Sequence, residues 1–506
     1  MLKSIKEKEF IPYALGDFLN RILMTAAICI GIASWVIYKR FYPNPNLIFD
    51  SYYYIYAAYF NDNVSAWPVG FSKILRLIGI FTHKVDTLLV IQYIFLQLSF
   101  LYFLLSVRYF FHLSKVSTIV LFVFLFLNPI YLYTCNLVLS DAFFLGLSLV
   151  WVISFLWIVF RPTAYMILLQ AILLLVTFTI RHSALFYPVI GAVAFLICRQ
   201  TVLFKLVGVI LPFTLIGAFM AYTTFLNNEQ FGVKQFSPFQ GWKVASNSLY
   251  IYEHVPENKI KPVPNSFKAI DSTVRQYYHS NHYPVSIFSP DPSWGSYYMF
   301  MYPSPLLTFR DKQFGPEKNF LINVRTLAKL GPLYKAYGSY LLREYPVEYV
   351  RYFVLPNVYI YMMPYPEVYF DSINPFHIQQ DTLGKIASRW FGKFSLDAPK
   401  QYIDFRSNFF NHYPLLNTFT HLLFVISFCG FLFLNGFKRV KKEIAKAIYV
   451  ISILWGINFV FIVLASASLL RYQLFITVIE FTFMVFFVEY IMWSDNNNYP
   501  LLRKDS

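Results

Sequence analysis

Long apolar runs alternate with short polar connections over most of the chain. Ten runs approach the length of about twenty residues that crosses the hydrocarbon core of a bilayer. They cover residues 22–38, 87–107, 117–134, 141–160, 164–180, 183–198, 203–225, 415–437, 447–465 and 472–493. Only Arg181 and His182 separate two of the shorter runs, which favours a tight hairpin there. The pattern predicts an all-α polytopic membrane protein with about ten transmembrane helices.

Two longer stretches interrupt this series and divide the chain. We predict an N-terminal transmembrane module at 1–225, whose first outer loop covers 39–86. A large extracytoplasmic loop domain, α-rich or mixed, follows at 226–414, and further transmembrane helices occupy 415–506. No internal repeat or low-complexity segment is found.

Two segments of the large loop have a helical pattern. Val324–Tyr345 carries apolar residues at helical spacing among charged ones, which predicts an amphipathic helix. Pro346–Met363 is too charged and too interrupted by proline to predict a span, and it suits the membrane interface.

Composition agrees with a membrane protein. Of 506 residues, 57% are hydrophobic and 13% are charged, about half the usual charged share. The net charge of +16 reflects Lys and Arg in the connections, and no basic run with interleaved polar residues indicates nucleic-acid binding. The four cysteines lie in or beside apolar runs, so a disulfide framework is excluded.

The basic residues predict the orientation. With ten spans and a cytoplasmic N-terminus, nearly all connections rich in Lys and Arg fall on the cytoplasmic side. These residues are Lys3, Lys6, Lys8, Arg21, Arg108, Lys115, Arg161, Arg199, Lys205, Lys438, Arg439, Lys441, Lys442, Lys446, Arg503 and Lys504. Lys39 and Arg40 are exceptions on the outer side. We therefore expect a multi-pass protein of the inner (plasma) membrane with both termini in the cytoplasm.

Two acids stand at the predicted outer ends of spans. Asp50 follows the first span in an Asp-Ser-Tyr-Tyr-Tyr sequence, and Asp141 follows Leu139-Ser140 at the start of the fourth. Ionisable residues near the membrane are costly and often functional. The alternative for each acid is a helix cap, with Asp50 capping a helix that begins at Ser51.

Two arginines are predicted on the same face. Arg181 lies beside His182 between two spans, and Arg471 precedes Tyr472 at the last span. A guanidinium matches phosphate oxygens geometrically. In the alternative interpretation, both are ordinary arginines at helix ends, whose side chains extend their charged groups into water. Lys243, in Gly-Trp-Lys, could border the same site.

At these residues the chain resembles the GT-C superfamily of polytopic membrane glycosyltransferases, which includes protein mannosyltransferases and aminoarabinose transferases. Asp50-Ser51 with the tyrosines after it resembles the family's acid in the first outer loop. Pro68-Val69-Gly70 resembles its Pro-x-Gly element, and Asp141, Arg181 and Arg471-Tyr472 resemble its later acid and arginines. Asp50 lacks the glutamate that often follows it, and ten spans is few for the family.

The resemblance implies transfer of a sugar from a polyprenyl-phosphate donor to an extracytoplasmic glycan, lipid or protein acceptor, with inversion at the sugar. Asp50 would act as general base. Arg181, with Arg471 or Lys243 as a second group, would stabilise the phosphate leaving group. Asp141 would orient the acceptor or help to hold a divalent cation.

Three other functions fit the same sequence. A Wzy-type polysaccharide polymerase also combines many spans, a large outer loop and arginines, but it does not require an acid after the first span. A flippase or transporter of lipid-linked sugars would carry polar residues at mid-membrane and broken helices, whereas the charges here are expected at span ends. A non-catalytic membrane scaffold is the third.

Overall fold

Helices make up the regular secondary structure of this protein in the residues that the structure describes. The structure, a computed structural model, describes residues 9–280, 291–316, 323–364, 382–392, 413–465, 468–494 and 501–502. Within these ranges there is no β-strand, and two isolated bridges join Asn46 to Leu137 and Val440 to Leu502. The expected all-α architecture is confirmed for this part of the chain. Lys3, Lys6, Lys8, Arg503 and Lys504, which contributed to the predicted orientation, lie outside it.

Eleven helices lie within residues 9–231. They are α1 (Phe10–Gly16), α2 (Phe18–Phe41), α3 (Phe49–Phe60), α4 (Val69–Gly79), α5 (Val85–Phe111), α6 (Lys115–Phe126), α7 (Pro129–Asn136), α8 (Asp141–Phe160), α9 (Tyr165–Ile180), α10 (Tyr187–Ile197) and α11 (Val202–Phe231). A 3₁₀ turn at His182–Phe186 leads directly into α10.

Twelve helices follow in the later described ranges, and four of them are longer than twenty residues. They are α12 (Gln240–Tyr252), α13 (Lys268–His279), α14 (Tyr297–Phe300), α15 (Pro305–Phe314), α16 (Val324–Glu344), α17 (Pro346–Tyr349), α18 (Leu355–Met362), α19 (Thr382–Phe391), α20 (Tyr413–Phe433), α21 (Gly436–Arg439), α22 (Lys442–Ala465) and α23 (Leu470–Trp493). A π-helical turn at Val350–Val354 joins α17 to α18. Short 3₁₀ turns lie at Glu257–Lys259, Asn265–Phe267 and Pro292–Ser296.

Eight segments of the described chain are long and apolar enough to cross a membrane, which makes this a multi-pass membrane protein. They are α2, α5, α6 together with α7, α8, α11, α20, α22 and α23. The two runs predicted as a tight hairpin form shorter apolar helices, Tyr165–Ile180 and His182–Ile197. The ten predicted spans therefore separate into eight of spanning length and two shorter ones.

The third predicted span is broken. α6 ends at Phe126, and α7 restarts at Pro129 after Asn128, whose side chain accepts from the Ile130 amide (3.2 Å). The Asn128 amide also donates to the Tyr413 hydroxyl (2.9 Å), which fixes the break against α20. The interruption falls at Pro129 because proline lacks the N–H that would continue the helical hydrogen bonds.

Charges are also not confined to span ends. Glu480 lies near the middle of α23 with 1% exposure and contacts the equally buried His421 of α20. The expectation that ionisable groups lie only at span ends is therefore wrong. Sequence periodicity does not show this pair because its partners are 59 positions apart and meet only through helix packing.

The region between the N-terminal and C-terminal long helices is organised by the packing of α12 along α16. The amphipathic helix predicted over Val324–Tyr345 is confirmed as Val324–Glu344. A Cβ on Gly241 would collide with the Gly331 backbone, so the two helices touch at backbone level. This contact fixes the relative positions of the side chains that α12 and α16 project toward the site below.

Candidate functional site

The first turn of α3 presents Asp50. The helix begins at Phe49, not at Ser51 as the capping alternative assumed, and Asp50 lies inside its first turn. The Ser51 hydroxyl accepts from the Ile48 amide (3.1 Å), so a neighbour makes the local capping contact. The Asp50 carboxylate is therefore available for another partner.

That partner is Arg471, at the start of α23. Its two terminal nitrogens donate to the same oxygen, Asp50 Oδ2, at 3.2 and 3.3 Å. Both side chains are 19% exposed. Oδ1 of Asp50 makes no hydrogen bond within the part of the chain that the structure describes, so one carboxylate oxygen is anchored and the other is not.

Asp141 and Arg181 form a second pair. Asp141 opens α8, and its Oδ1 accepts from Arg181 at 2.8 Å. The Asp141 side chain is 3% exposed and that of Arg181 is 14% exposed. Ser140 makes no capping hydrogen bond to α8. The principal contact of Asp141 is thus an ion pair that orients the arginine.

Tyr472 connects the two pairs. The Arg181 and Arg471 guanidinium carbons lie 4.8 and 4.9 Å from the centre of its ring. Arg471 also donates to the Tyr472 hydroxyl (3.0 Å). A tyrosine ring attracts cations through its face, so one side chain holds two guanidinium groups near each other that would otherwise repel.

Backbone contacts hold the two acids in place. The Asn46 amide donates to the Asn136 carbonyl (3.0 Å), and the Val138 amide donates to the Asn46 carbonyl (3.1 Å). This bridge ties the segment before Asp50 to the segment before Asp141. Lys39, an exception to the predicted charge distribution, donates to the Asn136 side chain (3.1 Å) and supports the same connection.

The Pro-x-Gly element has a structural task. α4 begins directly after Pro68, and a Cβ on Gly70 would lie 2.6 Å from the Thr179 carbonyl carbon and oxygen. Only glycine allows α4 to approach the end of α9 this closely. Arg181 follows two residues after Thr179, so Gly70 helps to set the position of that guanidinium.

All seven site residues predicted from the sequence line one cavity of about 1480 Å³. They are Asp50, Asp141, Arg181, His182, Lys243, Arg471 and Tyr472. The His182 ring packs between Phe178 and Phe236, with ring centres 5.2 and 4.6 Å away. The structure therefore brings together residues from five separate parts of the chain.

Further polar residues line the same cavity and were missed in the sequence, and four of them carry charge or hydrogen-bonding groups that matter below. They are Tyr54, Lys234, Lys335 and Asn458. Tyr54 could have been found, because it lies one helical turn after Asp50 and so shares its face. The other three come from distant elements, and no local signal marks them.

Tyr54 contributes a buried hydroxyl close to both acids. It is 4% exposed and lies 3.3 Å from the Ser140 hydroxyl. Burial raises the pKa of Tyr54 above its ordinary value, so the hydroxyl stays protonated and can donate. The neighbouring Tyr52, also at the cavity, has its pKa raised to about 12 by burial.

The charge of the cavity favours an anion. Its lining includes five cationic side chains, those of Arg181, Arg471, Lys234, Lys243 and Lys335, against the two carboxylates of Asp50 and Asp141. Both carboxylates are already paired with arginines. An anionic ligand entering this space would meet an excess of positive charge.

A protein-held divalent cation does not fit this arrangement. Within the described ranges, no group of three or more His, Cys, Asp or Glu side chains comes close enough to hold a metal ion. Each carboxylate of the cavity faces a guanidinium, which would compete with a metal for the same oxygens. The expectation that Asp141 helps to hold a cation is not supported by its surroundings.

Comparisons of this chain with protein-family profiles, with curated proteins and with solved structures found no match.

Proposed function

We propose that this protein is an integral membrane glycosyltransferase of the GT-C type. It would move a sugar from a polyprenyl-phosphate donor to an extracytoplasmic glycan, lipid or protein acceptor. The observation that carries the proposal is the Asp50–Arg471 pair, which shares one cavity with Arg181. We place the protein in the inner (plasma) membrane with both termini in the cytoplasm, following the distribution of basic residues.

The donor phosphate is assigned to the two arginines. A guanidinium has five donors in a planar fork, so Arg471 can bind a phosphate while it still contacts Asp50. Arg181 lies on the same tyrosine ring and supplies a second fork. The cavity wall also includes Leu185, Phe186, Phe461 and Ile462, apolar side chains suited to the first isoprene units of the lipid.

Asp50 is assigned as the general base. Its Oδ1 takes the proton of the acceptor hydroxyl while the acceptor oxygen attacks the anomeric carbon of the sugar. The bond from that carbon to the phosphate oxygen breaks on the opposite side, and the configuration inverts. The phosphate leaves with the bonding electron pair, and the two guanidinium groups stabilise its charge. A positioned base of this kind contributes roughly 10²–10⁴-fold in rate.

Asp141 is assigned a positioning role instead of a chemical one. Its carboxylate is almost fully buried and already bonded to Arg181. It therefore acts through the arginine, which it holds in the orientation that contacts the phosphate.

The test is mass spectrometry of cell-envelope glycans in cells that lack this protein. Cells carrying wild-type protein regain the missing glycan, and cells carrying Asp50→Asn do not. The matched control is Asp62→Asn, in the same outer loop but not at the cavity, which restores the glycan fully. A complete restoration by Asp50→Asn would overturn the base assignment and favour a polymerase that needs no acid there. An unchanged envelope after deletion would overturn the sugar-transfer proposal itself.

A further inference from the structure

A buried acid–base pair lies in the interior of the C-terminal helices. His421 Nδ1 and Glu480 Oε2 are 2.5 Å apart, with side-chain exposures of 2% and 1%. Trp455 of α22 donates to the other oxygen, Glu480 Oε1, at 2.6 Å. Glu480 is nine residues from Arg471 along α23, which places it roughly 14 Å deeper along the helix axis.

The surroundings of the pair are otherwise neutral. Tyr361 of α18 faces it, with its ring 5.2 Å from the His421 ring and its hydroxyl toward Glu480. Trp455 supplies a neutral N–H. Of the described residues in the helices that pack around the pair, Tyr361 is the other titratable group that faces it. A buried ion pair adds little net stability compared with apolar side chains, so ionisable residues at this depth indicate a function.

Three buried amide side chains lie between this pair and the cavity end of the helices. Asn417 precedes His421 by one turn on α20, Asn458 follows Trp455 by about one turn on α22, and Gln473 precedes Glu480 by two turns on α23. Their exposures are 1%, 6% and 0%.

Each of these amides has hydrogen-bonding capacity that the described residues do not satisfy. Asn417 Nδ2, Asn458 Oδ1 and both amide atoms of Gln473 have no protein partner there. Buried polar groups are rarely left without a partner, and ordered water supplies the missing bonds. Three such groups on three helices indicate internal water in this part of the bundle.

The amides also connect to the cavity. Asn458 is itself a cavity-lining residue. α20 and α23 run in the same direction, since His421 meets Glu480 and Phe431 meets Tyr490 further along. Asn417 and Gln473 therefore lie on the same side of the pair as Asn458. The polar groups form a path from the cavity toward the pair.

We infer that His421 and Glu480 form a proton-exchange site that water reaches from the cavity past Asn458, Asn417 and Gln473. The ligand of this site is the proton. The pair has no net charge when it holds one proton. It is then either imidazolium with carboxylate or imidazole with carboxylic acid. Release of that proton to water in the cavity leaves imidazole and carboxylate, and uptake of a proton from the same water restores the pair. The inference does not depend on the sugar chemistry proposed above.

The experiment is infrared difference spectroscopy on the full-length protein in lipid nanodiscs, titrated between about pH 5 and pH 8 in H₂O and in D₂O. We expect a band from the pair that changes with pH and shifts on deuteration. Glu480→Gln removes this band. The matched control, Glu489→Gln, removes a buried carboxylate further along the same helix and leaves the band in place.

A second variant tests the path. Asn458→Leu replaces the cavity-lining amide with an apolar side chain of similar size, so deuteration of the band should slow several-fold while the band itself remains. A band absent from the wild type, or one that Glu480→Gln leaves unchanged, would overturn the proton site. Unchanged deuteration in Asn458→Leu would overturn the route from the cavity. If the Glu480→Gln variant does not fold, the His421→Gln variant is measured instead, and the same loss of the infrared band is expected.

Discussion

Arg471 anchors one oxygen of the Asp50 carboxylate through both of its terminal nitrogens, across a separation of 421 positions in the sequence. The same guanidinium stacks on Tyr472. A lysine can provide the positive charge but not the planar fork or the stacking.

Arg471→Lys therefore tests the geometry of the pair. A hydrogen bond to a charged group contributes about 1.5–3 kcal/mol, so we expect the apparent affinity for a polyprenyl-phosphate sugar to fall roughly ten- to a hundredfold. The measurement is the half-saturating donor concentration of the purified protein. Arg199→Lys, an exposed arginine paired with Glu443 outside the cavity, is the control and should behave as wild type. Equal donor affinity in both variants would contradict a phosphate-binding fork at Arg471.

Arg181→Gln tests whether Asp141 depends on its partner. The substitution leaves a carboxylate buried at 3% exposure without its guanidinium. Breaking a buried pair on one side costs roughly 3–5 kcal/mol. We expect a clear fall in the free energy of unfolding, measured by denaturant titration in detergent. The double variant Asp141→Asn with Arg181→Gln should recover much of this loss, because no unpaired charge remains. A double variant as unstable as the single one would show that the charge of Asp141 is not the cause.

Gly70→Ala tests the close approach of α4 to α9. The new Cβ would lie 2.6 Å from backbone atoms of Thr179, so the helix must move. We expect a loss of roughly 1–3 kcal/mol in unfolding free energy, together with weaker donor binding because Arg181 shifts. Gly217→Ala, in α11 with no atom within 4 Å of the new Cβ, is the control and should be neutral. If a folded Gly70→Ala protein binds donor as tightly as the wild type, the close approach of α4 to α9 does not influence the site.

Gly241→Ala tests the contact between α12 and α16. A Cβ there would collide with the backbone of Gly331 and separate the helices that carry Lys243 and Lys335. We expect a lower melting temperature and weaker binding of an anionic donor, with both effects larger than those of Gly456→Ala, whose Cβ meets nothing within 4 Å. Thermal unfolding and donor titration of the two variants side by side provide the comparison. A melting temperature equal to that of the control would mean that the helices can separate at little cost.

Tyr54→Phe tests the buried hydroxyl beside the acids. It removes one hydrogen bond, so an effect of about 0.5–1.5 kcal/mol on the activation barrier is expected. Burial raises the pKa of Tyr54 above 10, so the hydroxyl is protonated at every working pH and the loss should not depend on pH. Tyr56→Phe, on the same helix but not at the cavity, is the control. A loss confined to alkaline pH would show that Tyr54 titrates during turnover and would contradict the effect of burial.

The sequence by itself determined the membrane character and the approximate helix bounds, because both depend on local composition and spacing. The length of an apolar run decides whether a segment can span a bilayer, and an acid such as Asp141 at the first position of its helix is visible in the printed chain. The seven candidate site residues could also be chosen from the sequence, because six of them are charged residues near apolar runs or their direct neighbours, and Lys243 lies in the Gly-Trp-Lys sequence of the large loop.

Only the tertiary structure decided how those residues pair. Which arginine meets which acid, and the stacking of both guanidinium groups on Tyr472, depend on helices far apart in the sequence. The broken span at Asn128 and the buried His421–Glu480 contact were likewise missed. Hydropathy averages over a whole segment, so it cannot register a single polar residue whose cost is offset by a partner on another helix.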